Sequence, residues 1–238
     1  SGQNGTGTPY TSATIITADV NLYARWIYKG GGGSSSGGSN TPALPTYKAD
    51  VKAENGTETV LPVKVDEGTG TASIDTGEQI LAQGGTIITI PSIPGVDSYS
   101  AGIPVPALST AEVKSTLSLN TDAGSIAVPS NMLTGVANAD GNKAQITIGR
   151  GDKSNLPEDV RNRIGDRPLV QLSLSIDGRQ VDWSNPNGPV TIAIPYAPTG
   201  EELANPESII ICYIDGSGNT VIIPNGRYNP VRGTVTFR

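Results

Sequence analysis

The feature that most restricts this chain is a long strand pattern tied to a segment that cannot fold. In residues 14–28, TIITADVNLYARWIY, the side chains of Ile16, Ala18, Val20, Leu22, Ala24, Trp26 and Tyr28 share one face. Thr17, Asp19, Asn21 and Arg25 share the other, with Ile15, Tyr23 and Ile27 interrupting its polarity. A period of two over this length belongs to a half-buried β-strand and not to a helix. Residues 30–39, GGGGSSSGGS, follow almost at once and have no side chain that could build a core. Ten such residues span roughly 17–19 Å on average and about 35 Å when fully stretched. A strand with an apolar face on such a tether must bury that face against something. Ile16, Val20, Leu22 and Trp26 are its expected anchors, at roughly 1.5–3 kcal/mol each for full burial.

The rest of the chain is long enough to hold a real core. Its 30 Gly and 18 Pro make up about a fifth of 238 residues, more than helical proteins carry but short of a disordered composition. Together with many β-branched residues, Ser and Asn, this is the vocabulary of short strands joined by turns. A net charge of −6 argues against nucleic acid and anionic lipid as partners, since both attract basic patches. No apolar run approaches the roughly 18–20 residues that cross a bilayer, so no membrane insertion is expected. Ser1 reads as the start of a processed or excised chain, with an export signal expected upstream.

The residue census removes much chemistry. The chain has no His, which excludes Ser-His-Asp and Cys-His machinery and His metal sites. Its single cysteine, Cys212, sits in the apolar run IIICYI, residues 209–214. The run predicts a buried, inert thiol, and one Cys makes no internal disulfide. No catalytic residue, cofactor or metal ligand is expected, and the chain reads as non-enzymatic.

Residues 1–29 are the strand and its approach, and residues 30–45 are a Gly/Ser linker ending in a Pro-punctuated stretch. The body begins at Thr46. Its alternation predicts strands over 47–53, 59–65, 70–75, 86–91, 98–105, 114–119, 125–129, 143–148, 169–176, 190–195, 208–214, 220–224 and 234–237. Asn55-Gly56, Ala123-Gly124, Asp140-Gly141, Asp177-Gly178 and Asp215-Gly216 supply the positive-φ residues that tight hairpins need. Ser109-Thr-Ala-Glu112 and Thr199-Gly-Glu-Glu202 read as helix caps, and residues 156–164 as a short helix with Pro157 in its first turn. The fold expected is all-β, with a sandwich or Greek-key body. Two packed subdomains, residues 46–108 and 109–238, are one way to divide it.

Two resemblances follow from these residues. GTPYTSATIITADVNLYARW resembles the end of a Listeria–Bacteroides (internalin B-type) surface repeat, matching it at Thr14, Ile16, Thr17, Asp19, Leu22, Tyr23, Ala24 and Trp26. The first half of such a repeat, which would pair with this strand, is missing. The body resembles the β-rich region that precedes S-layer homology modules in Gram-positive surface proteins. TYKADV, LPVKV, IPSIPGVDSYSAGIPVPALST, NTDAGSIAVPSNML, LPEDVRNRIGDRPLVQLSLSIDG and the closing PVTIAIPYAPTGEELANPESIIICYIDGSGNTVIIPNGRYNPVRGTVTF carry that resemblance. Members of that family often have Trp where this chain has Cys212, and they continue past residue 237 into a further β segment. The resemblance implies an exported, extracellular or cell-surface protein whose sheet has an open edge.

Smaller motifs have plain readings. Arg150-Gly151-Asp152 is the integrin tripeptide but fits a loop after a strand. Asp215-Gly-Ser-Gly-Asn219 is half a calcium loop without its closing Glu and fits a hairpin turn. Glu201–Glu202 and Asp66–Glu67 fit solvated turns better than a glycosidase pair, and Trp183 fits a core edge better than a sugar platform. Lys48, Lys52, Lys64, Lys114 and Lys143 lie in or beside strands where a lysine–asparagine isopeptide bond would show as the loss of one ammonia. Three function classes remain: a subunit that self-assembles into filaments by donating strand 14–28, a passive spacer of an S-layer-associated protein, and an adhesin or carbohydrate-binding module. The partner expected is the chain itself or another cell-surface protein.

Overall fold

Alternation in the body becomes strand. The computed structural model describes residues 46–77, 84–182, 184–215 and 218–238, all within one unit, Pro45–Arg238. Among them are β1 (Tyr47–Ala53), β2 (Glu58–Asp66), β3 (Thr71–Asp75), β4 (Thr86–Thr89), β5 (Ser98–Pro104), β6 (Thr116–Asn120), β7 (Ser125–Pro129), β8 (Lys143–Arg150), β9 (Val170–Ile176), β10 (Arg179–Gln180), β11 (Thr191–Pro195), β12 (Ile211–Ile214), β13 (Thr220–Ile223), β14 (Arg227–Asn229) and β15 (Thr234–Phe237). Three short helices, α1 (Val105–Leu108), α2 (Glu158–Ile164) and α3 (Gly200–Ala204), join them. The fold is all-β.

Two sheets share β2. Its first part pairs with β1, up to Tyr47 opposite Val63, and its last three residues pair with β3. One sheet then runs β1-β4-β6-β7-β11-β15-β14 and the other β3-β5-β8-β9-β10. From β3 to β6 the chain alternates between the sheets. This is why β3 runs parallel to β5 and β4 parallel to β6, since each pair is separated by a strand in the opposite layer. The pairing therefore runs across Ser109, and the sheets follow no division at 108/109.

The inward residues of both layers form one core. Val51, Ile88, Leu117, Leu119, Ile126 and Ile192 from one sheet belong to the same buried cluster as Ile74, Tyr99, Ile146, Ile148 and Leu174 from the other. On β8 the period is explicit: Ala144, Ile146 and Ile148 are buried, while Lys143 and Gln145 are exposed.

Turns and caps follow local chemistry, with three corrections. The β9–β10 turn places Asp177 at φ 48° and Gly178 at φ 81°, the two positive angles of a tight two-residue hairpin. Thr199 makes the expected capping box with Glu202. Ser109 does not start a helix. It closes α1, and its Oγ donates to the Val105 carbonyl at 2.9 Å, because the two prolines at 104 and 106 place the helical turn before it. Pro157 is the cap of α2 and stands just outside its first turn. Asp140-Gly141 joins no hairpin; the N–H groups after it, of Asn142 and Lys143, donate to the Asp177 carboxylate at 2.9 and 3.0 Å.

Candidate functional site

The part of the body that differs most from the rest is β12–β13. These strands form a separate two-stranded sheet, with Ile211 opposite Ile223, Cys212 opposite Ile222, Tyr213 opposite Val221 and Ile214 opposite Thr220. The turn is set by Asp215, whose Oδ1 accepts from the Asn219 backbone and Oδ2 from its side chain, both at 2.8 Å. The half calcium loop is thus a hairpin clasp, and among the described residues no group of three acidic, Cys or His side chains is placed to hold a metal.

Both ends of this hairpin are held. At the turn, a Cβ on Gly218 would stand 2.7 Å from the Pro157 ring, and at the base a Cβ on Gly226 would stand 3.0 Å from Ile211. The hairpin meets the body at Gly218, and Gly226 closes its own base against Ile211, while much of its ladder is open. Ile210, Tyr213, Val221 and Ile222 each leave 56–59% of their surface exposed. Cys212 is exposed as well, which overturns the expectation that it is buried. The run 209–214 is apolar on both sides, but only Ile209 is buried and only Ile211 and Ile214 are half-buried, so the hydrophobicity of the run does not translate into burial of Cys212. Not one of the eight ladder residues carries a charge.

The integrin tripeptide is tied into the fold. The Arg150 guanidinium contacts Asp97 at 3.2 Å and Asp122 at 3.1 Å. Asp152 accepts from the Ser154 N–H and hydroxyl at 2.8 and 2.7 Å, and a Cβ on Gly151 would stand 2.5 Å from Leu169. Around Arg150 lies a polar cluster that sequence reading does not find. Ser92 donates to Asp122 at 2.7 Å, and the fully buried Tyr99 faces the same carboxylate. Tyr99 Oη and Asp122 Oδ1 lack a partner of good geometry. Burial, together with the Asp122 carboxylate, pushes the Tyr99 phenol up to about 12. Burial raises Asp122, but the hydrogen bond from Ser92, the facing Tyr99 phenol and the charge of Arg150 outweigh it and hold that carboxyl below its ordinary range. The cluster braces the β6–β7 turn against β5 and β8.

The other candidates are also structural. Glu202 takes the Thr199 N–H at 2.9 Å, the Tyr196 hydroxyl at 2.8 Å and Arg167 at 3.3 Å, and the Thr199 N–H is the chief reason its carboxyl sits below the usual range. Asp66 accepts from Gly68 and Thr69 within its own turn. Two of the lysines, Lys64 and Lys143, meet Asp75 and not an asparagine. Lys143 reaches Asp75 over Gly102, which has no side chain to stand between them. An open groove of about 570 Å³ is lined by Lys52, Glu54, Ile87, Lys114 and Ser118, with Glu54 already accepting from Gly85 at 3.0 Å. Ile16, Val20, Leu22, Trp26 and Trp183 lie outside the described residues.

Among the described residues, fold and surface together define a β-sandwich with a partly open, charge-free hairpin. The chain matches no known family model, no curated protein and no solved structure.

Proposed function

We propose that this chain is a non-enzymatic structural subunit of the Gram-positive cell surface that assembles head to tail into extracellular filaments. Strand 14–28 leaves its own molecule and completes a sheet of the next. The observation that carries this reading is a pairing of two unsatisfied features. Residues 14–28 have a period-two apolar face on a tether without a core, and the body carries a two-stranded sheet with both edges free among the described residues. An incoming strand gains main-chain hydrogen bonds at such an edge, and its alternate side chains supply specificity. Donation from one copy to the next does not close on itself, so it propagates into a filament. The resemblance to surface repeats and to the region before S-layer homology modules supports the location.

Electron microscopy and size-exclusion chromatography of the full chain, beside a variant lacking residues 1–29, test the reading. Filaments are expected from the full chain and a soluble monomer from the variant. Filaments that persist without residues 1–29, or a full chain that stays monomeric at high concentration as a passive spacer does, overturn it.

A further inference from the structure

We infer that the β12–β13 hairpin is the acceptor, and that its occupant is strand 14–28 of a neighbouring copy, which adds a third strand to the two-stranded sheet. This rests on the reading that the strand is donated, and it selects one edge from several.

The selection follows from edge chemistry. Exposed strand edges invite pairing, and proteins ordinarily blunt them with short length or charge. The sandwich does so at both ends: β10 is two residues, Arg179 and Gln180, and β14 is three, Arg227, Tyr228 and Asn229. The β12–β13 ladder has no charge and no proline within it. Alternation and register put exposed Ile210, Cys212 and Ile222 on one face of it and exposed Tyr213 and Val221 on the other, and exposed apolar side chains grouped in this way ordinarily mark an interaction surface. Because Gly218 seats the turn of the hairpin against Pro157 and Gly226 closes its base against Ile211, an incoming strand meets a preformed platform.

The choice of occupant follows from the chain outside the described residues. Those first 45 residues contain one 15-residue stretch with a period-two apolar face, and a tether separates it from β1. The charges of that stretch, Asp19 and Arg25, fall on the face opposite the anchors. Beside the hairpin edge the anchors therefore extend one apolar face of the sheet while Asp19 and Arg25 fall on the other, with no charge on the ladder itself to desolvate. A four-residue ladder is about 14 Å long, which two neighbouring anchors on one face fill. Val20 and Leu22, at the centre of the stretch, are the pair assigned to it.

The single native cysteine makes the test specific. In the full chain, Val20→Cys or Leu22→Cys is combined with native Cys212 to probe the β12 edge. In a Cys212→Ser background the same substitutions are combined with Ile222→Cys to probe the β13 edge. Oxidised glutathione takes up the two electrons as the two thiols join. The expected result is a reducible ladder of dimers, trimers and higher species in at least one combination, and none in chains lacking the added donor cysteine. A second variant, Val221→Glu with Ile222→Lys, alters exposed side chains only. It should keep the circular dichroism and melting of the parent and lose filament formation.

Filaments that depend on residues 1–29 but give no ladder at either edge, or that survive the charged hairpin, overturn the acceptor assignment and leave strand donation standing. A cross-linked band confined to the monomer places the strand on its own hairpin and overturns both readings. Dimers joined through Cys212 alone put hairpin against hairpin and overturn the assignment. Filaments from chains lacking residues 1–29 overturn strand donation itself.

Discussion

The sandwich interior and the β12–β13 hairpin use the same residues and treat them oppositely. Ile146 and Ile148 of β8 are essentially inaccessible, whereas Ile210 and Ile222 leave more than half their surface in solvent. The difference lies in what stands opposite. Each inward residue of β8 faces a second sheet, and its neighbours on the same strand are polar, so the strand has one covered side and one wet side. The hairpin is apolar on both sides and is only partly covered: Ile211, Ile214 and Ile223 are half-buried, while Cys212, Tyr213, Val221 and Ile222 are exposed. Hydrophobicity of a strand thus fixes what it can bury, and topology decides whether anything is there to bury it. A surface left in that state is available to a partner, and this is the physical basis of the proposed assembly.

The largest expected effect sharpens this contrast by truncating one isoleucine from each region. Ile146→Ala should cost about 2–5 kcal/mol, the range for a buried side chain whose cavity cannot collapse. Ile222→Ala should stay within about 0.5 kcal/mol, as for an exposed position without a special role. Urea unfolding of unassembled protein measures both. Equal costs at the two sites would mean that the hairpin belongs to the core and would break the comparison.

How far the sequence reveals this contrast can be traced residue by residue. The strands of the sandwich were legible because alternation and turn glycines mark them: β1, β7 and β15 lie where the pattern puts them, and Gly56, at φ 85°, closes the first hairpin. β10 and β14 were not legible, since two or three polar residues carry no period. The parallel pairs β3–β5 and β4–β6 could not be read either, because local pattern records a strand's faces and not its neighbours. Cys212 departs from its expected burial for a related reason. A continuous apolar run has no period, so it resembles a strand covered on both faces, and nothing local distinguishes that from a strand left largely open. The polar cluster at Tyr99 left no trace at all, as Ser92, Asp97, Tyr99, Asp122 and Arg150 converge from separate loops and strands. The proposed donor anchors Ile16, Val20, Leu22 and Trp26 rest on alternation alone and lie outside the described residues.

The next effect belongs to the interior and has no counterpart in the hairpin. The folded Tyr99 phenol is raised from its ordinary value near 10 to about 12, so between those values the folded state holds a proton that the unfolded chain has lost. Stability is unaffected below about pH 10, falls as pH rises toward 12, and levels beyond it, with a loss from this group of about 2–3 kcal/mol. Tyr99→Phe should change stability at neutral pH by about 1 kcal/mol or less, since its hydroxyl lacks a partner of good geometry. It should also flatten the alkaline decline. Urea midpoints at pH 8, 10 and 12 for both proteins are the measurement. An unchanged decline in the variant would show that Tyr99 is not the buried group that loses its proton.

The smallest effect on stability comes from the hairpin, and its readout is chemical. Cys212→Ser should shift the unfolding free energy by no more than about 0.5 kcal/mol, because the thiol is exposed and removes little apolar surface from water. The native thiol of unassembled protein should react with a maleimide to completion without denaturant, at a rate close to that in urea. Assembly should slow that reaction, because an added strand covers the ladder on which Cys212 sits. These two rates separate the intrinsic state of the hairpin from its state in the filament. A thiol that reacts only after unfolding would place Cys212 in a covered layer. The open face of the hairpin, and with it the distinction between a buried and an uncovered apolar strand, would then be lost.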